Sequence, residues 1–152
     1  LSIKEIIGLR DDSLVADLTT VWNQSVRTSH HFLQEEDIEK IEPYVGTALR
    51  EIEHLIVPYS NRKPVGFMGI QNDKIEMLFL LPEYIGKGLG SKLIDLAIDS
   101  YGAKKVDVNE QNTQAAGFYE HKGFRVYQRD ESDEQGNPFP ILHMEIPNAS
   151  QA

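Results

Sequence analysis

Cysteine is absent from the 152 residues. Disulfides, thiolate metal sites and a cysteine nucleophile are therefore excluded, and so is a covalent thioester intermediate. No apolar run is long enough to cross a bilayer, and no signal-peptide pattern opens the chain. A soluble, cytoplasmic protein is expected, with an initiating methionine or short leader before Leu1. Basic residues are scarce beside acidic ones, 15 against 24, for a formal net charge of −9. Phosphate backbones need basic stripes, so the charge argues against nucleic acid as a partner. It favours a cationic or amine substrate by steering, although solubility accounts for it more simply. An anionic cofactor would have to be held locally, by oriented backbone amides. Internal repeats and low-complexity tracts are also lacking. The length fits one domain, residues 1–152, with a full core.

What the chain does have is a glycine-rich turn. In Pro82-Glu83-Tyr84-Ile85-Gly86-Lys87-Gly88-Leu89-Gly90-Ser91, three glycines fall at every second position. An apolar run (Ile75 to Leu81) precedes them, and a helical pattern (Leu89, Leu93, Leu96, Ala97) follows. A strand thus leads through the turn into a helix. Glycine lets a backbone approach a ligand closely. The first N–H groups of a helix are unpaired and lie at its positive pole, so such a turn can seat phosphates. A P-loop is excluded, because Leu81 stands where its first glycine belongs and Gly88 follows Lys87. The dinucleotide fingerprint also fails, since the third glycine comes one residue early.

Ser2 to Arg10 reads as a strand. Leu14, Val15, Leu18, Val21, Trp22 and Val26 repeat at helical spacing, giving a helix to about Thr28 with Trp22 on its core stripe. Ser29-His30-His31-Phe32-Leu33 is a loop. Glu35 to Ile52 is helical in two pieces, with Pro43 starting the second. Three strands follow on short loops, His54 to Tyr59, Pro64 to Ile70 and Lys74 to Leu81, as an antiparallel meander. The third is apolar on both faces except at Glu76 and belongs at the centre of the sheet. After the helix from Gly88 to about Tyr101, Lys105 to Asn109 is a strand, so a parallel crossover is implied. Gln114 to Lys122 is a short helix stopped by Gly123. Phe124 to Arg129 and Pro140 to Ile146 close the chain around an acidic loop, Asp130 to Pro138. Asn148 to Ala152 is expected to fray.

A lone carboxylate in a central strand is costly unless it is paired or lines a cleft, and its raised pKa would suit a general base. Glu76 is therefore a candidate base, with a place at the wet end of its strand as the plain alternative. His30 and His31 could also move protons, or simply occupy a solvated loop.

Two segments resemble the GCN5-related N-acetyltransferase (GNAT) superfamily. Leu78 to Gly90 is similar to its acetyl-CoA loop, R/Q-x-x-G-x-G/A. Asn112 to Phe124, with Ala115, Tyr119, Gly123 and Phe124, looks like its N-x-x-A-x-x-x-Y-x-x-x-G-F segment. One departure stands out, for Ile85 occupies the place of the usual Arg or Gln. The resemblance implies an α/β fold, a mixed central sheet of about seven strands flanked by about four helices, in the order β-α-α-β-β-β-α-β-α-β-β. It implies acetyl-CoA as co-substrate, no metal, an amine acceptor on a small molecule or peptide, and direct attack in a ternary complex. It places the cofactor against Leu78, Phe79, Leu80, Ile85, Gly86, Lys87, Gly88, Leu89, Gly90, Ser91, Asn112 and Tyr119. A freed N–H at Leu78 or Phe79 would hold the oxyanion, and Tyr119 would be the acid for the leaving thiolate. Glu76 is the first candidate base, His30 and His31 the second, and His143 the third. Edge strands in such folds pair, so a homodimer is a further expectation. The alternative function is an acyl-CoA-binding module with weak or no catalysis, because of Ile85.

Overall fold

The computed structural model describes residues 1–147, so the expected frayed tail lies outside the described residues. The chain runs β1 (Ser2–Glu5), α1 (Asp12–Ser29), α2 (Glu35–Glu51), β2 (His54–Ser60), β3 (Lys63–Pro64), β4 (Gly66–Gln71), β5 (Lys74–Leu80), a 3-10 turn (Pro82–Tyr84), α3 (Leu89–Tyr101), β6 (Lys105–Asn109), α4 (Thr113–His121), β7 (Arg125–Asp130) and β8 (Ile141–Glu145). This is the expected mixed α/β architecture and element order. The strands lie in the order β1-β2-β4-β5-β6-β8-β7, with the two-residue β3 on β2. Strand β5 is central, as its apolar sequence implies, and β5·β6 is the parallel pair expected of the crossover through α3. Among the described residues no helix is long and apolar enough to cross a membrane.

The sheet has a core on each face. Leu55, Val57 and Phe67 pack with the stripe of α1 and α2 (Leu18, Trp22, Leu49) on one face. Ile56, Met68 and Ile70 pack with Leu93, Ile94 and Ala97 of α3 on the other. Alternate side chains on each strand thus serve alternate cores.

Three expectations are corrected. Strand β1 ends at Glu5 rather than Arg10, because Gly8 turns the backbone to positive φ and Ile7 and Leu9 are exposed. Helix α2 is one piece, not two, with Pro43 inside it. Pro43 lies on the exposed side, so the hydrogen bond it cannot make is lost where water can replace it. Ile38, Val45 and Leu49 anchor the other side in the core. The strand read as Pro64 to Ile70 is divided at Val65, whose N–H donates to the Pro58 carbonyl instead.

Candidate active site

Strand β5 carries a bulge. Gly69 pairs with Met77 and Ile70 with Ile75, so Glu76 has no partner on β4. One inserted residue shifts the phase of every side chain beyond it. Accordingly Ile75, Leu78 and Leu80 serve the α3 core, while Met77 and Phe79 serve the α1/α2 core. The bulge turns Glu76 to the same side as Met77. Its other edge is open. Beyond Lys74↔Lys105 and Ile75↔Val106, β5 and β6 part. The Leu81 N–H donates to the Val65 carbonyl on the β4 side at 2.9 Å. Peptide groups alternate along a strand, so the N–H of Phe79 also faces β4, and those of Leu78 and Leu80 face the opening.

A pocket of about 280 Å³ fills that opening. The glycine turn walls one side. Gly86 and Gly88 have φ of +78° and +88° with open space where a Cβ would stand. They are there for the left-handed backbone, which an L side chain adopts only at a cost. Gly88 is the N-cap of α3, which has no side-chain cap and no acidic residue in its first turn. Those first amides suit an anion. Ile85, Gly90 and Ser91 complete this wall, and Leu78, Phe79 and Leu80 form the floor. Of the remaining expected contacts, Lys87 is exposed and the Leu89 side chain is buried in the core. Neither lines the pocket.

Helix α4 supplies the opposite wall through Asn112, Ala115, Phe118 and Tyr119. The Asn112 side chain caps α4 by accepting the Ala115 N–H at 3.2 Å. Tyr119 is packed edge-on against Phe118 and Phe124, with ring centroids 5.3 and 5.7 Å away. Burial raises its pKa far above the ordinary phenol value. Among the described residues, no buried side-chain polar atom lacks a partner. Among those residues the Tyr119 hydroxyl has no hydrogen-bond partner, and it opens on the pocket.

Two further spaces lead on from it, the first shared with its His30, Asn112 and Tyr119 wall and the second reached through Glu76 and Asp107. One, of about 110 Å³, connects Glu76, Phe79, His30, Asn112 and Tyr119. Another, of about 560 Å³, is acidic, with Glu76, Asp107, Asp130 and Glu134 on its wall. Glu76 is about two-fifths exposed, 3.7 Å from the Lys74 ammonium. Burial raises its pKa, the Lys74 charge opposes this, and Asp107 and Glu134 reinforce it.

The histidines differ from one another. His30 sits where the spaces meet, and burial with the nearby His31 lowers its pKa to about 4. His31 is exposed. His143 is held at both ring nitrogens, by Asp107 at 2.7 Å and Asp130 at 2.8 Å. Burial works against its charge, but those carboxylates prevail and raise its pKa. It has no free lone pair for a base. Sequence reasoning missed Ser25, Ser29, Gln114 and Phe118 on the pocket wall. For Gln114 and Phe118 a signal existed, since they flank Asn112 and Tyr119 in the same short helix.

A strand opened beside a glycine turn, with a helix N-terminus at one end and a buried tyrosine at the other, is the arrangement expected of an acetyltransferase fold. Residues 18–147 match the sequence model of the acetyltransferase (GNAT) domain. The peptidyl-lysine N-acetyltransferase YjaB of Salmonella typhimurium is 35% identical over 130 residues, 86% of this chain and 90% of the relative. The solution structure of apo YjaB from Escherichia coli superimposes with a TM-score of 0.83 at 34% identity, over 98% of this chain and 100% of that one. The PaiA N-acetyltransferase of Thermoplasma acidophilum, solved with coenzyme A, shares the fold at a TM-score of 0.66 and 20% identity, over 95% and 99% of the two chains. The chain belongs to the GNAT family and is an N-acetyltransferase.

Proposed function

We propose that this chain moves the acetyl group of acetyl-CoA to the side-chain amine of a peptide lysine, by direct attack in a ternary complex. The carrying observation is a single pocket that joins the uncapped N-terminus of α3 to the open edge of β5 and the Tyr119 hydroxyl. The lysine acceptor is supported by the YjaB relative and by the acidic cleft, which favours a cation.

The residues fit the cofactor. The amides of the Gly86–Ser91 turn would hold its phosphates, and the Asn112 wall would border its arm. When bound, acetyl-CoA supplies a thioester carbonyl for an amine to attack and a thiolate to leave. Glu76 takes the proton from the incoming ammonium, directly or through water, and its raised pKa brings it nearer the working range of a base. The Leu78 N–H, facing the opening, donates to the oxygen on which negative charge develops. Tyr119 keeps its proton at neutral pH and directs it as a hydrogen bond to the leaving sulfur. Burial holds its pKa well above the ordinary thiol value of about 8.5. Its role is hydrogen-bond donation, a narrower one than the full proton transfer that ordinary phenol and thiol values suggest.

Thermal shift with acetyl-CoA, CoA and ATP, followed by turnover with a lysine peptide, tests the reading. A rise with both CoA species alone, together with peptide acetylation, is expected. A rise without turnover of any amine would favour the acyl-CoA-binding module suggested by Ile85. No rise at saturating acetyl-CoA would end both readings.

A further inference from the structure

Asn112 is fixed in one orientation. Its Oδ1 accepts the Ala115 N–H as the cap of α4, so its Nδ2 is the group that lies 3.3 Å from His30 Nε2. An amide NH2 can only donate. Nε2 must therefore present its lone pair, and the ring proton must sit on Nδ1. That proton points to Ser29 Oγ at 2.8 Å, whose own hydrogen goes to the Ser25 carbonyl at 2.9 Å. The chain of donors has one direction, Asn112 to His30 to Ser29 to Ser25. Phe32 and Phe79 flank the ring, with centroids 5.4 and 6.2 Å away. The link joins the end of α1 to the start of α4 across the open edge of β5.

A general base needs a free lone pair directed at the proton it removes, and a pKa near the working pH. The accepting nitrogen of His30 is already taken by Asn112. Its low pKa, near 4, agrees with a neutral ring. We propose that His30 is a positioning residue, a fixed hydrogen-bond acceptor that holds Asn112 and so seats α4 and Tyr119 against the pocket. Helix α4 has nine residues, too few to be stable alone, so its cap and the contact behind it decide where Tyr119 stands. The inference rests on the acetyl-CoA reading above.

The test compares His30→Ala, His30→Gln and Asn112→Ala for kcat, for the KM of acetyl-CoA and for acetyl-CoA affinity. Glutamine carries an amide oxygen that can accept from Asn112, but it cannot act as a base. His30→Ala is expected to lower kcat about tenfold and raise the KM of acetyl-CoA, the scale of one lost hydrogen bond. His30→Gln should restore most of both. The double variant with Asn112→Ala should be little worse than either single one. If His30→Gln is as slow as His30→Ala, while binding acetyl-CoA normally, His30 is a base and the proposal fails. A nitrogen-15 NMR measurement on the unaltered protein decides the tautomer without turnover. Protonated Nδ1 with bare Nε2 is expected, and the reverse overturns the proposal even if acetyl-CoA is the true donor. Failure of the unaltered protein to bind acetyl-CoA, with the expected tautomer present, would instead condemn the functional reading and leave the link intact.

Discussion

Strand β5 is paired with β4 at six positions, from Gln71↔Lys74 to Gly66↔Leu80, and with β6 at two. The closed edge satisfies its amides within the protein and packs both cores. The open edge leaves the amides of Leu78 and Leu80 facing a pocket. The same contrast holds for two carboxylates. Glu5, on the closed half of the sheet, takes a hydrogen bond from Tyr101 at 2.6 Å and meets His54 at 2.8 Å. Those partners hold its pKa below the usual value. Glu76, on the bulge, meets Lys74 at the longer distance of 3.7 Å, and burial prevails. Groups that the fold completes supply stability, and groups that it leaves incomplete are available to substrate.

The largest break in this contrast should come at the open edge. Tyr119→Phe keeps the packing with Phe118 and Phe124 and removes only the hydroxyl. Its kcat should fall about 100-fold, the scale of one lost hydrogen bond to charge that develops in the transition state, with the acetyl-CoA dissociation constant nearly unchanged in a binding titration.

Glycine substitutions separate the two edges next. A Cβ on Gly66 would stand 2.8 Å from the Phe79 carbonyl, which cannot move without breaking the β4·β5 ladder. Gly66→Ala should cost about 1–3 kcal/mol in urea unfolding, as overpacking does. A Cβ on Gly86 meets nothing within 4 Å. Gly86→Ala should cost roughly 1 kcal/mol, from the left-handed backbone alone, and should weaken acetyl-CoA.

Much of this division was legible in the sequence, for identifiable reasons. The strand-helix-strand order around the glycine turn dictated a parallel neighbour for β5, and its doubly apolar sequence dictated a central place. The bulge was hidden by the same property. Ile75, Met77, Leu78, Phe79 and Leu80 are apolar on either phase, so an inserted residue leaves no trace in the alternation. Glu76 could be marked as unusual, but not aimed. The contact between His30 and Asn112 spans 82 positions and follows no local period, which is why His30 read as a candidate base or a loop histidine and not as a partner of Asn112. Pro43 misled for the opposite reason. Its local rule is sound, yet Ile38, Val45 and Leu49 on the buried side outweigh one lost hydrogen bond on the wet side.

Glu5→Gln should be the next smaller effect, about 1 kcal/mol of lost stability, since it removes a charged acceptor that is partly exposed. The folded pKa of Glu5 is depressed. Its contribution is therefore present above the ordinary value of 4.5 and lost as pH falls through the folded value. Unfolding curves of the two proteins should converge as the pH is lowered through that window. Equal separation at all pH values would show that His54 and Tyr101 do not act through the charge of Glu5.

Glu76→Gln should give the smallest change in stability, and in the opposite direction. Its folded pKa is raised, so the folded state holds the proton more readily than the unfolded one. Stability falls as pH rises through the window between the ordinary and folded values, and at neutral pH the whole cost is present. Glutamine has no charge to desolvate. The melting temperature should rise by about 1 °C at neutral pH, within the range of partly exposed substitutions, and the gain should vanish in acid. Meanwhile kcat should fall, because the ammonium proton has lost its acceptor. A variant that is slower and less stable would place Glu76 with Glu5, as a group the fold completes. One that is slower and slightly more stable identifies a carboxylate kept charged at the expense of the fold, which is the property that a base on the open edge requires.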